Sequence, residues 1–132
     1  MFVNRLTQEQ KQAVFDLAVN LANADNNLSV EEINYLKEFS DKHDIKYDLD
    51  KSNINVDDTL VVFNKAYCKI ILLQELIKLS YRDGHFGKEE QEKVFMIAQK
   101  TGMNDPELIL RIEKWVREGV NWSYEGEQML DY

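Results

Sequence analysis

Residues 21–32 read LANADNNLSVEE, and residues 79–90 read LSYRDGHFGKEE. The two stretches lie 58 residues apart and align without a gap. Leu21/Leu79, Asp25/Asp83, Glu31/Glu89 and Glu32/Glu90 are identical, and Leu28/Phe86, Leu36/Val94 and Phe39/Ile97 match in character. Each stretch joins the end of an apolar helical pattern to the start of the next through a polar turn with one inward apolar residue. The chain is thus expected to hold two helical hairpins that pack about a pseudo-twofold axis and bury a common core. Two copies fall short of a solenoid, which needs at least three stacked units.

Helical spacing extends outward from both copies. Ala13, Val14, Leu17, Ala18, Leu21 and Ala22 form one stripe, and Thr7 with Gln10 makes a capping box at its start. Ser29 and Glu32 make a second capping box, before a helix whose apolar face carries Ile33, Leu36 and Phe39, with Tyr35 at its border and His43 and Asp44 at its end. Between residues 45 and 56 the periodicity lapses into turn formers. Asp57 is placed to cap a short helix over residues 58–64; a strand over Leu60-Val61-Val62-Phe63 is less favoured because no partner strand is visible. Residues 67–82 are apolar on more than one face, which predicts a central helix. A helix follows over residues 88–100, with Val94, Ile97 and Ala98 inward and Gly102 as its stop. Asp105-Pro106 opens another, which carries Leu108, Ile109, Ile112, Trp115 and Val116 and is expected to end at Gly119; Ser123 would cap a last short helix through Leu130. The result is an all-α single domain over residues 1–132 with six or seven helices: a first repeat over about 7–43, a second over about 67–102, and C-terminal helices over about 105–130.

Composition narrows the function classes. The 132 residues carry 24 acids against 16 bases, a net charge of −8, which argues against binding a nucleic-acid backbone. One cysteine, Cys68, excludes an internal disulfide framework, and its apolar helical setting predicts a buried, inert thiol. No stretch is long and apolar enough to span a bilayer, and residues 1–10 lack a secretory pattern, so a cytoplasmic location is expected.

The chemistry concentrates in the two turns. Each sets an Asp at a helix end and a Glu pair in the first turn of the next helix, so Asp25 can approach Glu32, and Asp83 can approach Glu90. If both turns face one another, the four carboxylates Asp25, Glu32, Asp83 and Glu90 converge. A hard divalent cation would relieve their repulsion, although Ca²⁺, Mg²⁺, Mn²⁺ and Zn²⁺ are not distinguished. Residues 83–90 match the second half of an EF-hand loop, but Leu79 and Tyr81 stand where its leading acids belong, so a complete EF-hand is not expected. The competing reading is that acids at helix N-termini simply cap them.

The duplicated pattern small-x-Asp-Gly-x-apolar-x-x-x-Glu, in an all-helical chain of this length, resembles the TerB-like family associated with tellurite resistance. The resemblance covers residues 6–120. Asp83, Gly84, Phe86 and Glu90 fit the motif in the second copy; Asp25, Leu28 and Glu32 fit in the first, where Asn26 stands in place of the usual Gly, and Gly87 replaces the capping residue that Ser29 supplies. The resemblance implies a helical domain of two related halves with an acidic metal site at the paired turns, in a non-catalytic, metal-responsive protein-interaction module of stress response. The alternative is a metal-free scaffold that binds a protein partner through its acidic surface. A hydrolase is disfavoured because no base or nucleophile accompanies the carboxylates.

Other residues read as structural. His85 is expected to be a solvent-exposed turn residue, with a fifth metal ligand as the alternative, and His43 a favourable residue at a helix C-terminus. Trp115 belongs to its helix stripe. Trp122, Tyr124, Met129 and Tyr132 are expected to pack back on the domain, with a partner-binding patch as the alternative.

Overall fold

The computed structural model describes residues 2–23, 28–50, 54–81 and 86–131, and among them there is no strand. A 3-10 turn, Val3–Arg5, leads into α1 (Gln8–Ala22), α2 (Val30–His43), α3 (Val56–Leu60), α4 (Ala66–Ser80), α5 (Lys88–Lys100) and α6 (Pro106–Met129).

The helix starts follow the expected capping chemistry. Thr7 accepts from Gln10 N while Gln10 closes the box, and Ser29 and Glu32 do the same for α2. Asp105 accepts from Glu107 N, with Pro106 in the first turn of α6. Gly87 begins α5 without any side-chain cap. At the other ends, Asp44 (φ 55°) follows α2, and Gly102 (φ 79°) follows α5. After α5, Met103 N reaches Ala98 O at 2.8 Å and Gly102 N reaches Gln99 O at 3.1 Å, which is a Schellman closure.

The repeat governs the backbone itself. α4 starts and ends 58 residues after α1, α5 starts 58 residues after α2, and the left-handed residues 44 and 102 keep the same offset. α1 and α4 make the most extensive helix–helix contact and lie at the centre. Leu72, Leu73, Leu76 and Ile77 of α4 are fully buried, as are Val14, Phe15 and Leu17 of α1. Cys68 Sγ lies 3.8 Å from Gln10 Oε1. These are equivalent positions of the two halves, so the pseudo-axis passes between the first turns of α1 and α4. Gln10 also donates to Val62 O at 2.9 Å and accepts from Thr7 N at 3.0 Å. Cys68 is buried and free, as expected.

Four details depart from the sequence reading. The short helix is capped by Asn55, which accepts from Asp58 N, and spans Val56–Leu60; Asp57 instead pairs with Lys100 at 2.7 Å. Tyr35 is a buried residue rather than a border one, because its hydroxyl finds a partner inside. His43 does end α2 but is buried rather than facing solvent, packed against Phe39 with ring centroids 4.6 Å apart. Its pKa is lowered by burial, then by the nearby Lys11 and Lys42. Lastly, α6 neither stops at Gly119 nor restarts at Ser123 but runs unbroken to Met129. Glycine stops a helix where φ turns positive; among the described glycines Gly102 does so and Gly119 does not.

Candidate functional site

Two side chains bind the halves to each other. Tyr35 of α2 and Lys93 of α5 occupy equivalent positions. Tyr35 donates its hydroxyl to Glu75 Oε1 of α4 at 2.7 Å, and Lys93 Nζ donates to Asn20 O of α1 at 3.2 Å. Each therefore reaches across to the first helix of the other hairpin. All four residues lie within five residues of a helix end that adjoins residues 24–27 or 82–85, which is about 8 Å along a helix axis. The four helix ends that flank residues 24–27 and 82–85 thus gather at one end of the molecule.

Two of the four predicted carboxylates, Asp25 and Asp83, lie outside the described residues, as does His85. Glu32 is buried, and its Oε1 accepts from Ser29 N at 2.9 Å. Glu90 turns back in a similar way: a side chain at Gly87 would meet its Oε1 at 3.7 Å. Both described glutamates thus fold over the start of their own helix. Glu31 and Glu89 are exposed. Among the described residues no three His, Cys, Asp or Glu side chains gather as a metal-ligating group. Leu28 and Phe86, the inward apolar residues of the two turns, pack against the core in both halves.

Lys93 brings a cation to this same end. It is half-buried, and burial lowers its pKa. Glu75 is only 3% exposed and also accepts from Lys78 Nζ at 3.2 Å. The sequence reading missed both groups because each sits in an otherwise ordinary helical pattern. Their shared 58-residue register with Tyr35 and Leu17 was the available signal.

A second surface lies on α6. Tyr81, at the end of α4, donates to Glu113, which also receives Arg117 Nη1 at 2.8 Å and 3.1 Å. Burial, then the bond to Glu113, pushes the Tyr81 pKa up to about 12, so the phenol stays a donor. Trp115 stacks on Phe2 at 6.1 Å. Beyond Val116 the helix is exposed through residue 131. Trp122 (78% exposed), Tyr124 (60%) and Met129 (72%) do not pack back on the domain. They continue α6 past the point where the helical bundle ends, so no core lies beneath them; Tyr132 is outside the described residues. A cleft of about 500 Å³ opens there, bounded by Tyr81, Trp115, Gly119, Trp122, Tyr124 and Glu127.

No family model, curated protein or solved structure matches this chain. Among the described residues no helix is long and apolar enough to cross a membrane.

Proposed function

We propose that the protein is a non-catalytic, cation-responsive interaction module of stress response, of the kind its resemblance to the TerB-like domains implies. The supporting observation is the pair of crossed contacts, Tyr35 to Glu75 and Lys93 to Asn20, which draw the helix ends adjoining residues 24–27 and 82–85 to one end of the domain. In this reading Asp25, Glu32, Asp83 and Glu90 supply oxygen ligands to a divalent ion. Glu32 holds Oε1 on Ser29 N, which fixes its carboxylate at the start of α2. The ion would couple the two hairpins, and its arrival or loss would alter the acidic surface presented to a protein partner.

The metal-free scaffold is the second reading, and two observations favour it. Glu32 already serves its helix N-terminus, and Lys93 already brings a positive group to the same end. Calorimetric titration with Ca²⁺, Mg²⁺, Mn²⁺ and Zn²⁺ separates the two, run on the wild type and on Asp83→Asn/Glu90→Gln. A cation site gives saturable heat and a thermal shift that the double variant loses. A scaffold gives neither, and the double variant unfolds at the temperature of the wild type whatever ion is present.

A further inference from the structure

The exposed half of α6 has no role in the cation reading, yet its composition is unsuited to solitary existence in water. Its last 13 helical residues, 117–129, are all exposed. They include Gly119 and Gly126, each of which costs a helix interior about 1 kcal/mol relative to alanine. As the continuation of a 24-residue helix the segment needs no nucleus of its own, but it lacks the packing that supplies most helical stability in proteins. Trp122, Tyr124, Met129 and Leu130 are nevertheless presented to solvent.

We propose that a second copy of this chain covers this segment, with the two α6 helices packed antiparallel about a twofold axis near Trp122. Three features select a second copy. First, the face is self-complementary. Trp115, Trp122 and Met129 recur at seven-residue spacing, and Gly119 and Gly126 lie beside Trp122, three residues before it and four after. The indole of one helix therefore meets the low ground of the other, as a twofold interface requires. Second, charge is polarised along the helix. Arg111, Lys114 and Arg117 precede its midpoint together with Glu107 and Glu113, three bases against two acids; Glu118, Glu125, Glu127 and Asp131 follow, with no base after Arg117. Antiparallel pairing sets the acidic half of one copy beside the weakly basic half of the other, and it also opposes the helix dipoles. Parallel pairing would stack acid on acid. Third, the area suits a weak dimer. Trp122, Met129 and Leu130 lie on one side of the helix and are mostly exposed, which amounts to roughly 450 Å² per copy. A symmetric pair then buries about 900 Å², the range of weak, transient association.

Sedimentation velocity on the full chain, from low micromolar to millimolar concentration, tests this. The expected result is a monomer–dimer equilibrium that weakens as salt rises. Trp122→Ala should weaken dimerisation by roughly thirtyfold or more, as loss of a central aromatic anchor does. Gly119→Leu should abolish it without harming the monomer. An added Cβ there meets nothing within 4 Å, and leucine is the better helix former. Helix content by circular dichroism should be equal or higher in that variant. A monomer at all concentrations overturns the proposal, as does a dimer that either variant leaves intact or one that tightens with salt. A wild type that stays monomeric but binds a basic amphipathic helical peptide through Trp122 would assign the face to a different partner and overturn it equally.

Discussion

Removing one oxygen atom should measure how firmly the halves are braced. Tyr35→Phe deletes the hydroxyl that donates to Glu75 Oε1 at 2.7 Å, where both residues are at most 5% exposed. The ring keeps its volume, so no cavity of consequence forms. A hydrogen bond to a charged group contributes about 1.5–3 kcal/mol. Lys78 remains on the other carboxylate oxygen at 3.2 Å and moderates the loss, which places the expected destabilisation near 2 kcal/mol. For a chain of this length that corresponds to a fall in Tm of about 6–8 °C. The assay is thermal and urea unfolding of the wild type, Tyr35→Phe, Glu75→Gln and the double variant. The double-variant cycle should return a coupling of about 1–2 kcal/mol. Destabilisation by Tyr35→Phe below about 0.5 kcal/mol, a level normal for surface changes, or strict additivity in the cycle, would refute the cross-brace.

Three further outcomes are expected. Gly87→Ser copies the cap that Ser29 provides in the other half and meets Glu90 only at ordinary contact distance; it should stabilise by a few tenths of a kcal/mol and raise Tm by about 1–2 °C. Gln10→Ala removes side-chain bonds to Thr7, Val62 and Cys68 at the pseudo-axis and should cost about 2–3 kcal/mol in urea unfolding, well above an exposed glutamine such as Gln128. His43 has a folded pKa below its ordinary value of 6.5 because of burial, then Lys11 and Lys42. The unfolded chain therefore takes up its proton first: the contribution of neutral His43 is fully present above about pH 6.5 and is lost as pH falls below it. Denaturation between pH 5 and 8 should show a drop on the acid side that is shallower in His43→Gln, and parallel curves for the two proteins would disprove it.

The helices were legible where local chemistry decides them. Thr7 with Gln10, Ser29 with Glu32, and Asp105 with Pro106 are complete start signals within four residues, and the structure uses all three. The 58-residue offset was legible around the turns and extends further than the matching letters do, to Asp44 and Gly102. What escaped depended on contacts distant in sequence. The burial of Tyr35 and Glu75 is decided by a bond spanning 40 residues. The burial of His43 depends on where the core lies. Gly119 looked like a stop because a glycine in sequence does not disclose the sign of its φ. The outward face of Trp122 follows from the length of α6 relative to the bundle, which no local pattern encodes. At the candidate site, the capping role of Glu32 was legible from Ser29, whereas the cation contributed by Lys93 was not.

Paramagnetic broadening by Mn²⁺ in amide-resolved NMR tests the central claim most directly. A shared cation site predicts that substoichiometric Mn²⁺ broadens residues flanking segments 24–27 and 82–85 together, including Leu28 and Phe86, and that Asp83→Asn/Glu90→Gln removes both effects at once. Broadening scattered over exposed carboxylates such as Glu125 and Glu127, or confined to one of the two segments, would contradict it.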